Sequence, residues 1–224
     1  MTTEVSHLHP FVRALASLRF EQCFNPYREF CQVHDRKDAP HRRALLLSAI
    51  LGAAESRGVD SIWIGRDLGY RGGRRTGLAF TDDVHVQKHA NRWDVSSALA
   101  TNGLPESERT ATVVWSVLDT IRENVFLWNV FPLHPFELDE PFSNRQHNSR
   151  ERRAGVEVLR ELVARLRPAR IVAVGNDAAD AARTLNLSIP LVPVRHPSYG
   201  GQNQFVSQMA VLYGRRIAKQ RDLL

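Results

Sequence analysis

An α/β fold is predicted by three observations: a three-layer αβα arrangement with a central, short four-stranded parallel sheet flanked by helices. Four short apolar runs rich in β-branched or aromatic residues recur along the chain, at Ser61 to Gly65, Val125 to Val130, Arg170 to Gly175 and Pro190 to Arg195. Segments of helical periodicity separate them, and this alternation specifies right-handed βαβ crossovers and a parallel sheet. Length sets the third constraint. With 224 residues, 43% of them apolar, the chain can bury one substantial core, so residues 1–224 are expected to form a single domain.

Each element follows from its local pattern. Residues 11 to 30 carry enough periodicity for one or two helices. Arg42 to Arg57 reads as a helix closed by Gly58. Ile62-Trp63-Ile64 forms the apolar centre of the first strand. Residues 82 to 104 are the least regular part. Pro105 to Glu123 places Val114, Leu118 and Ile121 on one helical face. Ser149 to Leu166 gathers Val156, Leu159, Leu162, Val163 and Leu166, and Pro168 ends it. Ala178 to Leu185 is a short, alanine-rich helix. Gln204 to Leu223 is the last, with Phe205, Met209, Leu212 and Ile217 as its apolar positions.

Charge points to the partner. Thirty basic against twenty-four acidic side chains give +6, which favours a polyanion. Arg71, Arg74 and Arg75 crowd one glycine-rich loop, and Arg195 directly precedes His196. No N-terminal apolar segment of signal-peptide type is present and no run is long enough to span a bilayer, so a cytoplasmic protein with no membrane partner is expected. Cys23 and Cys31 are too few for a four-thiolate iron–sulfur cluster or a Cys-rich zinc site; a disulfide between them is the alternative, and in a reducing compartment buried thiols are expected. His85 and His89 have the spacing of metal ligands but lack a third partner, so solvent-exposed histidines are the better account. Gly72-Gly73 fits neither a dinucleotide fingerprint nor a phosphate-binding P-loop. No cofactor and no metal are implied.

In open α/β sheets, ligands bind beyond the carboxyl ends of the strands. Asp67 stands just past the first strand, Asn129 at the end of the second, Asn176 and Asp177 after the third, and His196 after the fourth. The topology therefore gathers an acid, an amide and an imidazole at one edge. Each has a plainer reading: Asp67 as an N-cap, Asn129 as the start of a turn, Phe80 as core, His196 as structural. A carboxylate delivered into a basic loop that ends in a lone aromatic suits an anionic ligand with a planar group. Nucleic acid fits that description.

Three segments then resemble one family. Gly65, Asp67, Gly77, Leu78 and Phe80, with Thr81 in place of a serine, are similar to the water-activating motif of uracil-DNA glycosylases, Gly-Gln-Asp-Pro-Tyr-His followed by Gly-Leu-x-Phe-Ser. Val125 to Val130 resembles the Leu-Leu-Leu-Asn segment, and His196-Pro197-Ser198 matches the family's His-Pro-Ser triplet. The chain is thereby identified as a divergent member of the superfamily, without an iron–sulfur cluster, from about Asp60 to about Gln204.

The resemblance implies a monofunctional DNA repair glycosylase that extrudes uracil and hydrolyses its N-glycosidic bond. Asp67 and His196 would be catalytic, and Leu68, Phe80 and Asn129 would hold uracil. Arg71, Arg74, Arg75, Arg195, Ser198, Tyr199 and Gln202 are the expected DNA contacts. Expected partners are uracil-containing DNA, single- or double-stranded, the abasic product and free uracil, bound by a monomer. The alternatives are a non-catalytic module that binds damaged or abasic DNA, and an unrelated nucleoside or sugar-phosphate hydrolase. Three departures bear on substrate range and extrusion. Leu68 replaces a proline, Gly69 replaces the tyrosine that bars thymine's methyl group, and Gly200 stands where a leucine wedges into the duplex. Tyr199, then Gln202, are the candidates to supply that wedge.

Overall fold

Alternation along the strands decides the architecture, because odd and even positions face opposite sides of a sheet. The structure is a computed structural model that describes residues 8–214. In chain order its elements are α1 (Pro10–Ser17), β1 (Cys23–Phe24), α2 (Ala39–Arg57), β2 (Ser61–Asp67), α3 (Gly73–Thr76), α4 (Val86–Arg92) and α5 (Arg109–Leu118). There follow β3 (Val125–Phe131), β4 (His134–Pro135), α6 (Ser149–Leu166), β5 (Arg170–Val174), α7 (Asn176–Arg183), β6 (Leu191–Val194) and α8 (Gln202–Leu212). Four strands form one parallel sheet in the order β3-β2-β5-β6, and β1 pairs antiparallel with β4 apart from it.

Two cores cover the two faces of the sheet. Ile62, Ile64, Phe126, Trp128, Ile171 and Ala173 pack against Leu47, Ile50 and Leu51 of α2 and Leu159 and Leu162 of α6. Trp63, Leu127, Val172 and Val194 point the other way, onto Val114, Trp115 and Leu118 of α5 and Phe205 and Met209 of α8. Each fully buried side chain of this size contributes about 1.5–3 kcal/mol of transfer free energy. The three-layer αβα arrangement expected from the sequence is the one observed.

The helix over Ser149–Leu166 has the limits the pattern sets. Asn148 caps it, accepting from the amides of Arg150 and Glu151, while Glu151 reaches back to the Asn148 amide. Gly155 lets this helix lie flat on β3, for a Cβ there would fall 2.2 Å from the Val130 carbonyl oxygen.

Elsewhere local hydrogen bonds override periodicity. The helix expected over Pro105 to Glu123 shrinks to Arg109–Leu118. Asp83 accepts from the Glu106 amide and Asp82 from the Glu108 amide, which holds the chain extended before the helix begins. In residues 11 to 30 only α1 forms. Asn25 donates to the Leu15 and Leu18 carbonyls and so closes the helix end, and the chain runs on into β1. The irregular stretch 82 to 104 contains α4. The last helix starts at Gln202 and ends at Leu212, and the part of the expected helix beyond residue 214 lies outside the described residues.

Candidate active site

β2 and β3 run side by side with Gly65 opposite Asn129. A Cβ at Gly65 would sit 2.5 Å from Asn129 Oδ1 and 2.6 Å from Phe80 Cζ, so only glycine lets the amide and the ring close on the strand here. Phe80 itself holds a left-handed backbone, φ +52°, an uncommon state for an aromatic residue. The Trp115 indole N–H fixes it by donating to the Phe80 carbonyl at 3.0 Å. Together these groups wall a cavity of about 560 Å³ at the carboxyl ends of the strands. Asp67, Leu68, Phe80, Asn129, His196 and Glu108 all line it.

Both oxygens of Asp67 are engaged. His147 Nδ1 lies in hydrogen-bonding contact with Oδ1, and Arg66 Nε donates to Oδ2 at 2.7 Å. Arg66 also reaches Asp177 at 3.4 Å. His147 is buried beside Phe131, and its position is set by the start of α6, where Arg145 pairs with Glu151 at 2.7 Å. The carboxylate is therefore oriented from behind by two nitrogen donors.

His196 is oriented as firmly. The Ser198 backbone N–H donates to its Nδ1 at 3.1 Å, with Ser198 Oγ 2.7 Å from the same atom. Nδ1 is thus the acceptor nitrogen, and in the neutral ring Nε2 carries the proton. Burial, then the positive charges of Arg66 and Arg195, lower the imidazole pKa to about 4, so the ring is neutral at ordinary pH. Asn129 is buried, and its side-chain amide makes no hydrogen bond to another described residue. Its donor and acceptor remain available to a ligand.

The structure corrects two of the expected DNA contacts. Arg75 is buried and forms an ion pair with Asp83 at 2.6 Å, and Asp83 in turn accepts from the Thr101 hydroxyl. Arg74 is buried with its guanidinium 3.8 Å from the centre of the Phe24 ring and 3.1 Å from His134 Nδ1. Neither can reach a phosphate. Arg71 is exposed, resting on the Tyr70 ring and donating to its hydroxyl. Arg195 is exposed at the cavity mouth, beside Ser198 and Tyr199. Tyr199 is 97% exposed, and Gln202 sits half-buried in the first turn of α8, outside the cavity lining.

His85 and His89 are not exposed, contrary to expectation. His85 is buried, bonded to Asp82 at 2.6 Å and stacked on Trp115, while His89 meets the Thr81 hydroxyl at 2.9 Å. Among the described residues no cluster of three or more His, Cys, Asp or Glu could hold a metal ion. Cys23 and Cys31 are buried, unpaired thiols.

Sequence reasoning missed three groups. His147 is separated from Asp67 by 80 positions and no motif links them. Arg66 lies in β2 next to the acid, and none of the matched motif positions includes it. Glu108 has its carboxyl against Gly69 and Gly72, where a Cβ would come 3.1 Å and 2.1 Å from its oxygens. Burial, then the charge of Asp82, raises its pKa to about 7.

At the strand ends of this parallel αβα sheet, an acid, an amide, an aromatic ring and a neutral imidazole converge on one cavity. The sequence profile of the Uracil DNA glycosylase superfamily matches residues 56–213, and the chain belongs to that superfamily. The crystal structure of SMUG2 from Pedobacter heparinus is similar, with a TM-score of 0.65 and 12% identity over 91% of this chain and 95% of that one. A tyrosine-to-glycine mutant of UNG from Nitratifractor salsuginis aligns with a TM-score of 0.44 and 18% identity, over 79% and 78% of the two chains. No curated protein matches the sequence.

Proposed function

We propose that this protein is a monofunctional uracil-DNA glycosylase that acts on a nucleotide extruded from DNA and leaves an abasic site. The observation that carries this reading is the convergence of Asp67, Phe80, Asn129 and His196 on a single cavity. The Phe80 ring replaces the stacking that an extruded base loses. Asn129 offers an acceptor and a donor to N3–H and O4 of uracil, whereas cytosine reverses both groups and would leave them unpaired.

Cleavage moves the C1′–N1 bonding pair onto the base. Negative charge builds on uracil O2, where the Nε2–H of neutral His196 donates. Positive charge builds on the sugar, where the oriented Asp67 carboxylate opposes it and aligns the water that attacks C1′. Among the described residues no lysine lines the cavity, which favours hydrolysis over Schiff-base lyase chemistry. Arg71, Arg195 and Ser198, with Tyr199 beyond them, form the candidate contact to the DNA strand, and the overall charge of +6 suits it.

The test is incubation with an end-labelled, uracil-containing oligonucleotide followed by alkali. Scission that appears only after alkali supports the glycosylase. Intact DNA carrying a tight gel shift would instead mean a binding module. Asn129→Asp should shift preference towards cytosine, because it presents an acceptor to the N4 amine. Unchanged uracil release with no cytosine release would remove Asn129 from base reading.

A further inference from the structure

In a parallel sheet the chain leaves each strand at its carboxyl end, so the helix that follows begins at the end where the cavity lies. α6 follows β3, the edge strand, and Gly155 sets its N-terminal half against Val130 and Phe131. The segment leading into it supplies Asn144 and Arg145 to the cavity lining and His147 to Asp67. The first turns of α6 therefore continue the rim of the cavity on the β3 side. Arg195, Ser198 and Tyr199 follow β6, at the opposite edge of the sheet, and form the other rim.

Charge is unevenly matched along α6. In its second half Arg160 pairs with Glu157 at 3.5 Å and Arg165 with Glu161 at 3.0 Å. Arg150, Arg152 and Arg153, in its first two turns, have no carboxylate partner among the described residues. Glu151, the acid of the first turn, is buried and already engaged by Arg145 and by the Asn148 amide. Glu157, one turn beyond Arg153, is taken by Arg160. A helix N-terminus carries partial positive charge and disfavours cations, so these arginines oppose the helix that holds them. The anion that would balance them has to come from outside the chain. Arg150 and Arg153 are both exposed, and their spacing puts them on one helical face. The Arg150 guanidinium lies 6.0 Å from the centre of the Phe20 ring.

We infer that Arg150 and Arg153 form a phosphate-binding track that receives the DNA strand on the β3 side of the cavity, across from the contact made by Arg195 and Ser198. The inference rests on the glycosylase reading for the identity of the polyanion. A nucleotide held in the cavity has backbone leaving it in two directions, and Arg195 and Ser198 stand on one rim only. A guanidinium presents a planar fork that matches two oxygens of a phosphodiester. Such contacts touch no base edge, so the track should hold every sequence alike.

The experiment measures, by fluorescence anisotropy at varied NaCl, the affinity of the full chain for a labelled single strand that contains no uracil. Arg150→Gln and Arg153→Gln together should weaken binding about tenfold at low salt and lower the log–log salt slope by roughly 1.5, near 0.7 for each phosphate contact. Arg160→Gln and Arg165→Gln together remove the same charge from the other end of the same helix, and should change the slope by less than about 0.5. The first pair of substitutions should leave the urea midpoint unchanged or slightly raised, because it takes cations away from a helix N-terminus. A lowered midpoint with an unaltered slope would make these arginines structural and overturn the track. Equal losses of slope in the two variants overturn it too, since net charge alone would then attract the DNA. Uracil release by the wild type, with a slope that Arg150→Gln and Arg153→Gln leave unchanged, overturns the track and leaves the glycosylase reading intact. A slope lowered as expected in a protein that releases no uracil keeps the track and overturns the glycosylase reading. A wild type that does not bind DNA overturns both.

Discussion

Asp67 shows how little a residue's sequence position says about its state. Its motif spacing marks it as functional, yet what fixes the carboxylate is His147 on one oxygen and Arg66 on the other. Asp67→Asn should keep affinity for uracil DNA and lose several orders of magnitude in single-turnover rate, because it removes a charge used chiefly in the transition state. A variant with near-wild-type turnover would dismiss Asp67 from the chemistry. His147 is a positioning residue. We expect His147→Ala to lower the rate roughly 10–100-fold, with less effect on DNA affinity, and added imidazole to restore part of it. A loss of affinity equal to the loss of rate, or no rescue by imidazole, would make the role purely structural. Glu108 carries a stability consequence as well. Its folded pKa lies above its ordinary value, so its favourable contribution is complete below the unfolded pKa and lost as pH climbs through about 7. Glu108→Gln should therefore be more stable than the wild type at about pH 8, by roughly 3 kcal/mol, with the gap closing near pH 4.5. Urea titrations at the two pH values decide it.

The glycine- and arginine-rich loop after β2 illustrates what could and could not be read in advance. Gly65, Asp67 and Phe80 were legible because their chemistry depends on spacing along one segment. Arg74 and Arg75 were misread because composition reports charge and not its partner. Asp83 is only eight positions on, but an ion pair folded inward looks the same in sequence as a cluster turned towards DNA. The strands and the helix over Ser149–Leu166 were legible because their apolar periods and caps agree. The shortening of α5 was not, since the acids that hold residues 106–108 extended belong to another segment. Arg75→Ala should leave Asp83 buried and uncompensated, costing about 3–5 kcal/mol in denaturant unfolding. The salt dependence of DNA binding should not change. A flattened salt slope with unaltered stability would reverse this assignment.

For the molecule as a whole, the question is how a base reaches a cavity set behind the strand ends. Tyr199 stands almost fully exposed at the mouth, with φ +50°, followed by Gly200 at φ +76°. A flat side chain projecting from a tight turn is suited to fill the vacancy that extrusion opens, which otherwise costs about a few kcal/mol of lost stacking. Tyr199→Ala should impair release from duplex DNA far more than from single strands, where no stack must be broken. Equal losses on both substrates would place Tyr199 in support of the pocket instead. Arg71 and Arg195 are exposed arginines beside the site, Arg71 lying 3.8 Å from Glu106. Replacing both should lower the log–log salt slope by roughly two.

The two cysteine thiols provide a way to time the opening of this architecture. Cys23 Sγ lies 3.1 Å from Glu151 Oε1, and burial together with that carboxylate drives the thiol pKa far above its ordinary range. The thiolate is the form that attacks a thiol reagent, so the closed molecule is inert at Cys23 and every modification event counts an excursion. Glu151 also holds Arg145 and caps the helix that His147 immediately precedes. The labelling rate of Cys23 at low urea is thus a clock for loosening of the support behind Asp67. Its ratio to the rate at Cys31, buried near Asp35 far along the chain from that helix, distinguishes a local excursion from global unfolding.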